Sequence, residues 1–142
     1  MGVAENKAIV RRFIDEVLNQ GNLETARELL APDFVLYHPM LPEPAHGADG
    51  YENAIEWFDT VFPDFQTEIE FLVGEGDMVA SRWRVRATHT GEFQGIPATG
   101  KRVEYTGIAE YRLRDGKIVE GRIQEDMLGI MQQIGAVPAP PA

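Results

Sequence analysis

No cysteine occurs among the 142 residues, which removes disulfides, thiolate nucleophiles and zinc–cysteine sites in one step. Long apolar runs are missing too, so no segment approaches the ~18 residues of a membrane span. The opening "MGVAENKAIVRRF" is charged within a few residues and holds no secretory core, and a cytoplasmic location is expected. Basic residues are scarce: 13 Lys and Arg stand against 23 Asp and Glu, a formal net charge of −10. Such a surface repels phosphate backbones, and nucleic acid is discounted as a partner. No Gly-rich phosphate loop opens a helix, since "VGEGD" leads into a strand, and no nucleotide cofactor is expected. The three histidines, with Asp33 or Asp49, lack ligand spacing, and no metal is expected either.

What is present is ordinary globular composition, 44% hydrophobic and 25% charged, in a length suited to a single domain over residues 1–142. Only 135–142, containing "AVPAPPA", has the composition of a loose tail. From Ala4 to Asn19 the residues Ala8, Ile9, Phe13, Ile14, Val17 and Leu18 recur at the spacing of an amphipathic helix. "NLETARELLAPDF" predicts a second helix with Asn22 as N-cap, and "GYENAIEWFDTVFPDF" a third that Pro63 ends. "DFVLYHP" reads as a brief strand before a proline-rich loop long enough to be a lid.

After Pro63 the period changes from 3.6 to 2. Phe65, Thr67, Ile69, Phe71 and Val73 alternate with Gln66, Glu68, Glu70 and Leu72, "GEGD" turns the chain, and "MVASRWRVRATH", "RVEYTGIAEYRL" and "IVEGRIQED" follow as strands. Helices first and an antiparallel meander after predict an α+β fold: a curved antiparallel sheet packed on N-terminal helices, with a short C-terminal helix. Val79, Trp83, Val85 and Ala87, then Val103, Tyr105, Ala109, Tyr111 and Leu113, share the parity of a helix-facing row. Arg82, Arg84, Arg86, Arg102, Glu104, Glu110 and Arg112 take the other face, in ion pairs or against a second copy of the chain in a homodimer.

The last strand divides differently. Val119, Ile123 and Met127 form one row, and Ile118, Glu120, Arg122, Gln124 and Asp126 the other. Pattern alone sends the polar row to water.

"THTGEFQGIPATGKRVEYTGI" and "RDGKIVEGRIQEDMLGIMQQIG" closely resemble the SnoaL-like polyketide cyclase and ester cyclase family, and "ENKAIVRRFIDEVLNQGN" and "LLAPDFVLYHP" fit as well, so the likeness spans nearly the whole chain. The resemblance implies the cone-shaped ketosteroid-isomerase and nuclear-transport-factor fold, in which the sheet wraps helices around an apolar pocket. It implies that an aspartate, here Asp126, serves as general acid and base, with Arg122, Gln124 and Asp126 turned into the pocket. It further implies a hydrophobic, carbonyl-rich substrate closed by intramolecular aldol condensation. Arg122 departs from the tryptophan that many members carry four residues before the aspartate. Hydroxylase-like relatives also look to have an arginine there, and limonene epoxide hydrolases, on a similar fold, use an Asp-Arg-Asp set of which only one aspartate is clear here. A tailoring enzyme using Arg122 with Asp126 is the alternative, and a non-catalytic binding or dimerisation module the second.

An aldol site needs a carboxylate whose burial raises its pKa from about 3.9 toward neutrality, and donors for the enolate. Trp57, Phe62, Trp83 and Tyr105 are candidate walls, with His38, Gln124 and Arg122 as donors. Two structural readings compete. Arg122 and Glu120 can form a surface pair, and Asp126 can cap the helix that begins in "EDMLGIMQQIG".

Overall fold

The computed structural model describes residues 2–141. Helix α1 (Val3–Arg12) passes without a break into a π-helical turn and a half, Phe13–Asn19, and α2 spans Leu23–Leu29. The first predicted helix is therefore one rod with a widened end. Asn22 caps α2, its side chain accepting from Thr25 N. Strand β1 (Leu30–Tyr37) leads to the two-residue β2 (Ala45–His46) and then α3 (Gly47–Val61). Strands β3 (Gln66–Glu75), β4 (Met78–Thr88), β5 (Arg102–Arg114) and β6 (Lys117–Glu125) follow, and α4 (Met127–Gln133) ends the series.

The α+β class is as expected, with one difference in the sheet. Its order is β2-β1-β6-β5-β4-β3, and β1 runs parallel to β6, so the sheet is mixed. The helical connection between β1 and the meander carries the chain across the sheet's concave side, and that crossover permits a parallel pair. Helix α1 packs on β3 and β4, α3 on β1 and β2, and α4 on β5. The core lies between helices and sheet, where Val10, Phe62, Ala87, Ala109, Ile118 and Ile130 are wholly buried. Gln133 clamps α4 to β5, its amide accepting from Glu104 N and donating to Glu104 O, both at 2.8 Å.

Two bulges re-aim side chains. Between Ile69 and Phe71 the β3–β4 register slips by one residue. Phe71 and Val73, which share parity with Ile69 in the sequence, are thereby turned to the outer face, 44% and 53% exposed. Between Arg112 and Leu113 the β5–β6 register slips at Val119, so Ile118 points inward before the bulge and Gly121 and Ile123 after it. The predicted inward rows of β4 and β5 are buried as expected. Their opposites form a charged lattice outside, with Arg84 on Glu104 at 2.9 Å, Arg82 on Glu70 at 3.4 Å and Arg112 on Asp77 at 2.9 Å. At the C-terminus, Ala136 N and Val137 N donate to Met131 O and fold the start of the expected tail back onto α4. The tail's final residue lies outside the described residues.

Candidate active site

An apolar cavity opens between α3 and the inner face of the sheet. Trp57, 37% exposed, stands at the mouth; Tyr51 and Tyr111, each 3% exposed, lie in the closed end. Phe58, Phe65 and Trp83 supply apolar wall between them, and His38 and Tyr105 supply polar atoms.

Strand β6 carries a buried carboxyl. Glu125 pairs across the ladder with Gly107, which in turn faces Trp83 on β4. With no side chain at Gly107, the space above it is taken by the far edge of the Trp83 ring and by Gln124 O. The Glu125 side chain is 2% exposed, and its Oε1 is buried without a hydrogen-bond partner. Burial pushes this carboxyl up to about 8, because the charged form has lost its water.

His38, immediately beyond β1, faces it. Its Nδ1 accepts a hydrogen bond from Met40 N at 3.0 Å, which leaves the ring proton on Nε2, 3.5 Å from Glu125 Oε1. Burial lowers the imidazole to about 4. Near neutral pH both members of the pair are therefore uncharged, a protonated carboxyl beside a neutral imidazole. Tyr105 stands close to the same carboxyl, and burial, with that carboxyl's charge added, raises its phenol well above the usual value and keeps it a donor.

The inward placement of Arg122, Gln124 and Asp126 is corrected by this geometry. Beyond the bulge at Val119 the inward row is Gly121, Ile123 and Glu125, so the neighbours point out. Arg122 lies on the outer face, paired with Glu120 and with its guanidinium carbon 4.1 Å above the Tyr37 ring. Gln124 is exposed in a shallow outer groove between Arg122 and Ile108. Asp126 leaves the strand, is exposed, and caps α4, its Oδ1 accepting from Gly129 N at 2.8 Å.

Of the other residues singled out by sequence, His38, Trp57, Trp83 and Tyr105 line the cavity together. Phe62 does not line it; wholly buried, it packs behind Phe58 at 5.4 Å between ring centroids. Glu125 escaped the sequence reading, as did Tyr51. The available signal for Glu125 was its parity with Ile123, a carboxyl continuing an apolar row. His89, wholly buried, holds the loop between β4 and β5 through Thr99, whose N donates to its Nδ1 at 3.3 Å. No cluster of three metal-ligating side chains occurs among the described residues.

The sequence profile of the SnoaL-like polyketide cyclases matches residues 8–134. The chain belongs to that family. It is 30% identical over 134 residues to DnrD, an aklanonic acid methyl ester cyclase of Streptomyces peucetius, covering 89% of this chain and 88% of the relative. Among solved structures it superposes on AclR, a candidate hydroxylase from Streptomyces galilaeus, with TM-score 0.83 and 33% identity over 99% of this chain and 87% of that one. IdmH, a candidate polyketide cyclase from Streptomyces antibioticus, gives TM-score 0.80 and 33% identity over 92% of this chain and 98% of its own.

Proposed function

We propose that the protein is an acid–base enzyme that closes a ring in a flat, hydrophobic, carbonyl-rich molecule by intramolecular aldol addition, with Glu125 rather than Asp126 as the group that moves protons. One observation carries this reading: Glu125 is a buried carboxyl with an unpartnered oxygen, 3.5 Å from the ring nitrogen of His38, which lines the apolar cavity. An ionised Glu125 removes a proton from a carbon between two carbonyls. The electron pair released forms the new carbon–carbon bond to a second carbonyl carbon, and the carboxyl returns its proton to the oxygen so formed. A base with a pKa of about 8 is matched to that task near neutral pH, where an exposed carboxylate near 4 is too weak. The Nε2–H of His38 and the Tyr105 hydroxyl are donors placed to hold either the carboxylate or the enolate oxygen. No step calls for a cofactor.

The names of the relatives support a polyketide methyl ester as substrate, and aklanonic acid methyl ester is the first compound to offer. Glu125→Gln, which keeps shape and removes the titrating group, is expected to lower kcat by at least about a hundredfold, in line with loss of a general base. Full turnover by Glu125→Gln would sink the reading. The likeness to AclR supports a second reading, a tailoring hydroxylase using the same cavity; the product formed by the wild type separates the two. Phe71, Val73 and Ile108, exposed among interleaved Arg and Glu, support a second copy of the chain as partner of the outer face.

A further inference from the structure

The closed end of the cavity holds two phenols with nothing in the protein to bond to. Tyr51 comes from α3 and Tyr111 from β5, and both pack against the Phe13 ring, at 5.3 and 6.2 Å between centroids. Neither hydroxyl has a hydrogen-bond partner among the described residues, yet neither oxygen is sealed from space; the buried side-chain atoms left without partners are those of Ser81, His89 and Glu125. The two hydroxyls thus open onto the cavity that both residues line. A polar group nine-tenths buried is normally paired, so donors left free here are free for an occupant. Phe65, Val85 and Ile123 add apolar wall to the same cavity, and His38, beside Glu125, lines it too.

We infer that Tyr51 and Tyr111 form a second polar subsite, which binds a carbonyl oxygen at the end of the ligand remote from Glu125. A carbonyl oxygen has two lone pairs and can accept from both phenols at once. Burial keeps both phenols protonated at every pH of interest, so they act as donors. The ladder sets the span. Tyr111 pairs with Gly121 and Gly107 with Glu125, so the backbone positions that carry the two polar ends are four strand residues apart, about 13 Å at ~3.3 Å per residue. A ligand that satisfies both ends is elongated, hydrocarbon in the middle and oxygenated at each end. The subsite also fixes direction: it holds the far carbonyl, and only one end of the molecule then reaches the proton-transferring group.

This inference rests on the cavity being the ligand site and not on the chemistry assigned to Glu125, so binding rather than turnover tests it. Two probes of one shape suffice, 2-acetylanthracene with a terminal carbonyl and 2-ethylanthracene without one, titrated by fluorescence. Wild type is expected to prefer the ketone by about tenfold, the worth of two ordinary hydrogen bonds. Tyr51→Phe and Tyr111→Phe each reduce that preference severalfold, and the double variant abolishes it. Binding of 2-ethylanthracene stays within about twofold in all of them, which also reports that each variant is folded. Equal binding of the two probes by wild type overturns the inference. So does a preference that survives the double variant and disappears in Tyr105→Phe, because the carbonyl would then sit at the Glu125 end. Failure of wild type to bind either probe removes the subsite together with the reading of the cavity. An inactive Glu125→Gln that keeps the preference, or an active one, leaves the subsite standing, since the two tests read different groups.

Discussion

Glu125 and Asp126 are chain neighbours whose environments are opposite. One carboxyl is buried beside His38 and close to Tyr105; the other stands in solvent and accepts from Gly129 N. Substitution therefore separates a proton-transfer role from a capping role. Asp126→Asn keeps a good cap and is expected to leave kcat within about threefold and stability within about 0.5 kcal/mol; Asp126→Ala removes the cap and costs about 1 kcal/mol in urea denaturation. A large loss of activity in Asp126→Asn would return the acid–base role to that residue. The opposite reading from sequence arose because a carboxylate just before a helix suits both roles, and family likeness chose the catalytic one. Pattern, taken alone, sent Arg122 and Gln124 to water, where they are. The parity of the residue between Gln124 and Asp126 with Ile123 pointed to the buried side, but its type argued against burial.

Elements were more legible than the site they build. The 3.6-residue spacing of Phe13, Ile14, Val17 and Leu18 marked a helix, and the change to period 2 after Pro63 marked the meander. Neither periodicity shows that the helix widens to a π form at Phe13. Nor does it show the bulges at Glu70 and Val119, because one inserted residue reverses parity without altering composition. The parallel pairing of β1 with β6 was equally hidden, being set by how the helices carry the chain across. Gly107 is where these elements meet most tightly. A Cβ there would run into the far edge of the Trp83 ring and come within 2.8 Å of Gln124 O. Gly107→Ala is thus expected to push Trp83 into the cavity and β6 away from β5, costing about 1–3 kcal/mol. Probe affinity should fall as well, by more than stability alone explains. Unchanged denaturation midpoint and unchanged affinity together would show that β6 does not approach as described.

At the scale of the whole molecule, the buried pair makes stability depend on pH near neutrality in a way that exposed carboxylates do not. The folded Glu125 carboxyl titrates at about 8 against an ordinary 4.5, so folding holds its proton where the unfolded chain has released it. Its contribution is present below about 4.5 and is lost as pH rises to about 8. His38 runs the other way. Its folded value of about 4 lies below an ordinary 6.5, so folding excludes a proton that the unfolded chain binds, and stability is lost as pH falls from about 6.5 to about 4. Between about 4.5 and 6.5 the two slopes have opposite sign and cancel. From about 6.5 to 8 only Glu125 contributes, and 1.5 pH units at about 1.36 kcal/mol each come to a loss on the order of 2 kcal/mol. Thermal denaturation followed across that range should show Tm falling in wild type and level in Glu125→Gln. Activity moves in the opposite direction over the same interval, with kcat/KM rising toward pH 8 as the base form accumulates. A wild-type Tm that is level from pH 6.5 to 8, matching the variant, would mean that the carboxyl is already ionised there and that its surroundings are wet.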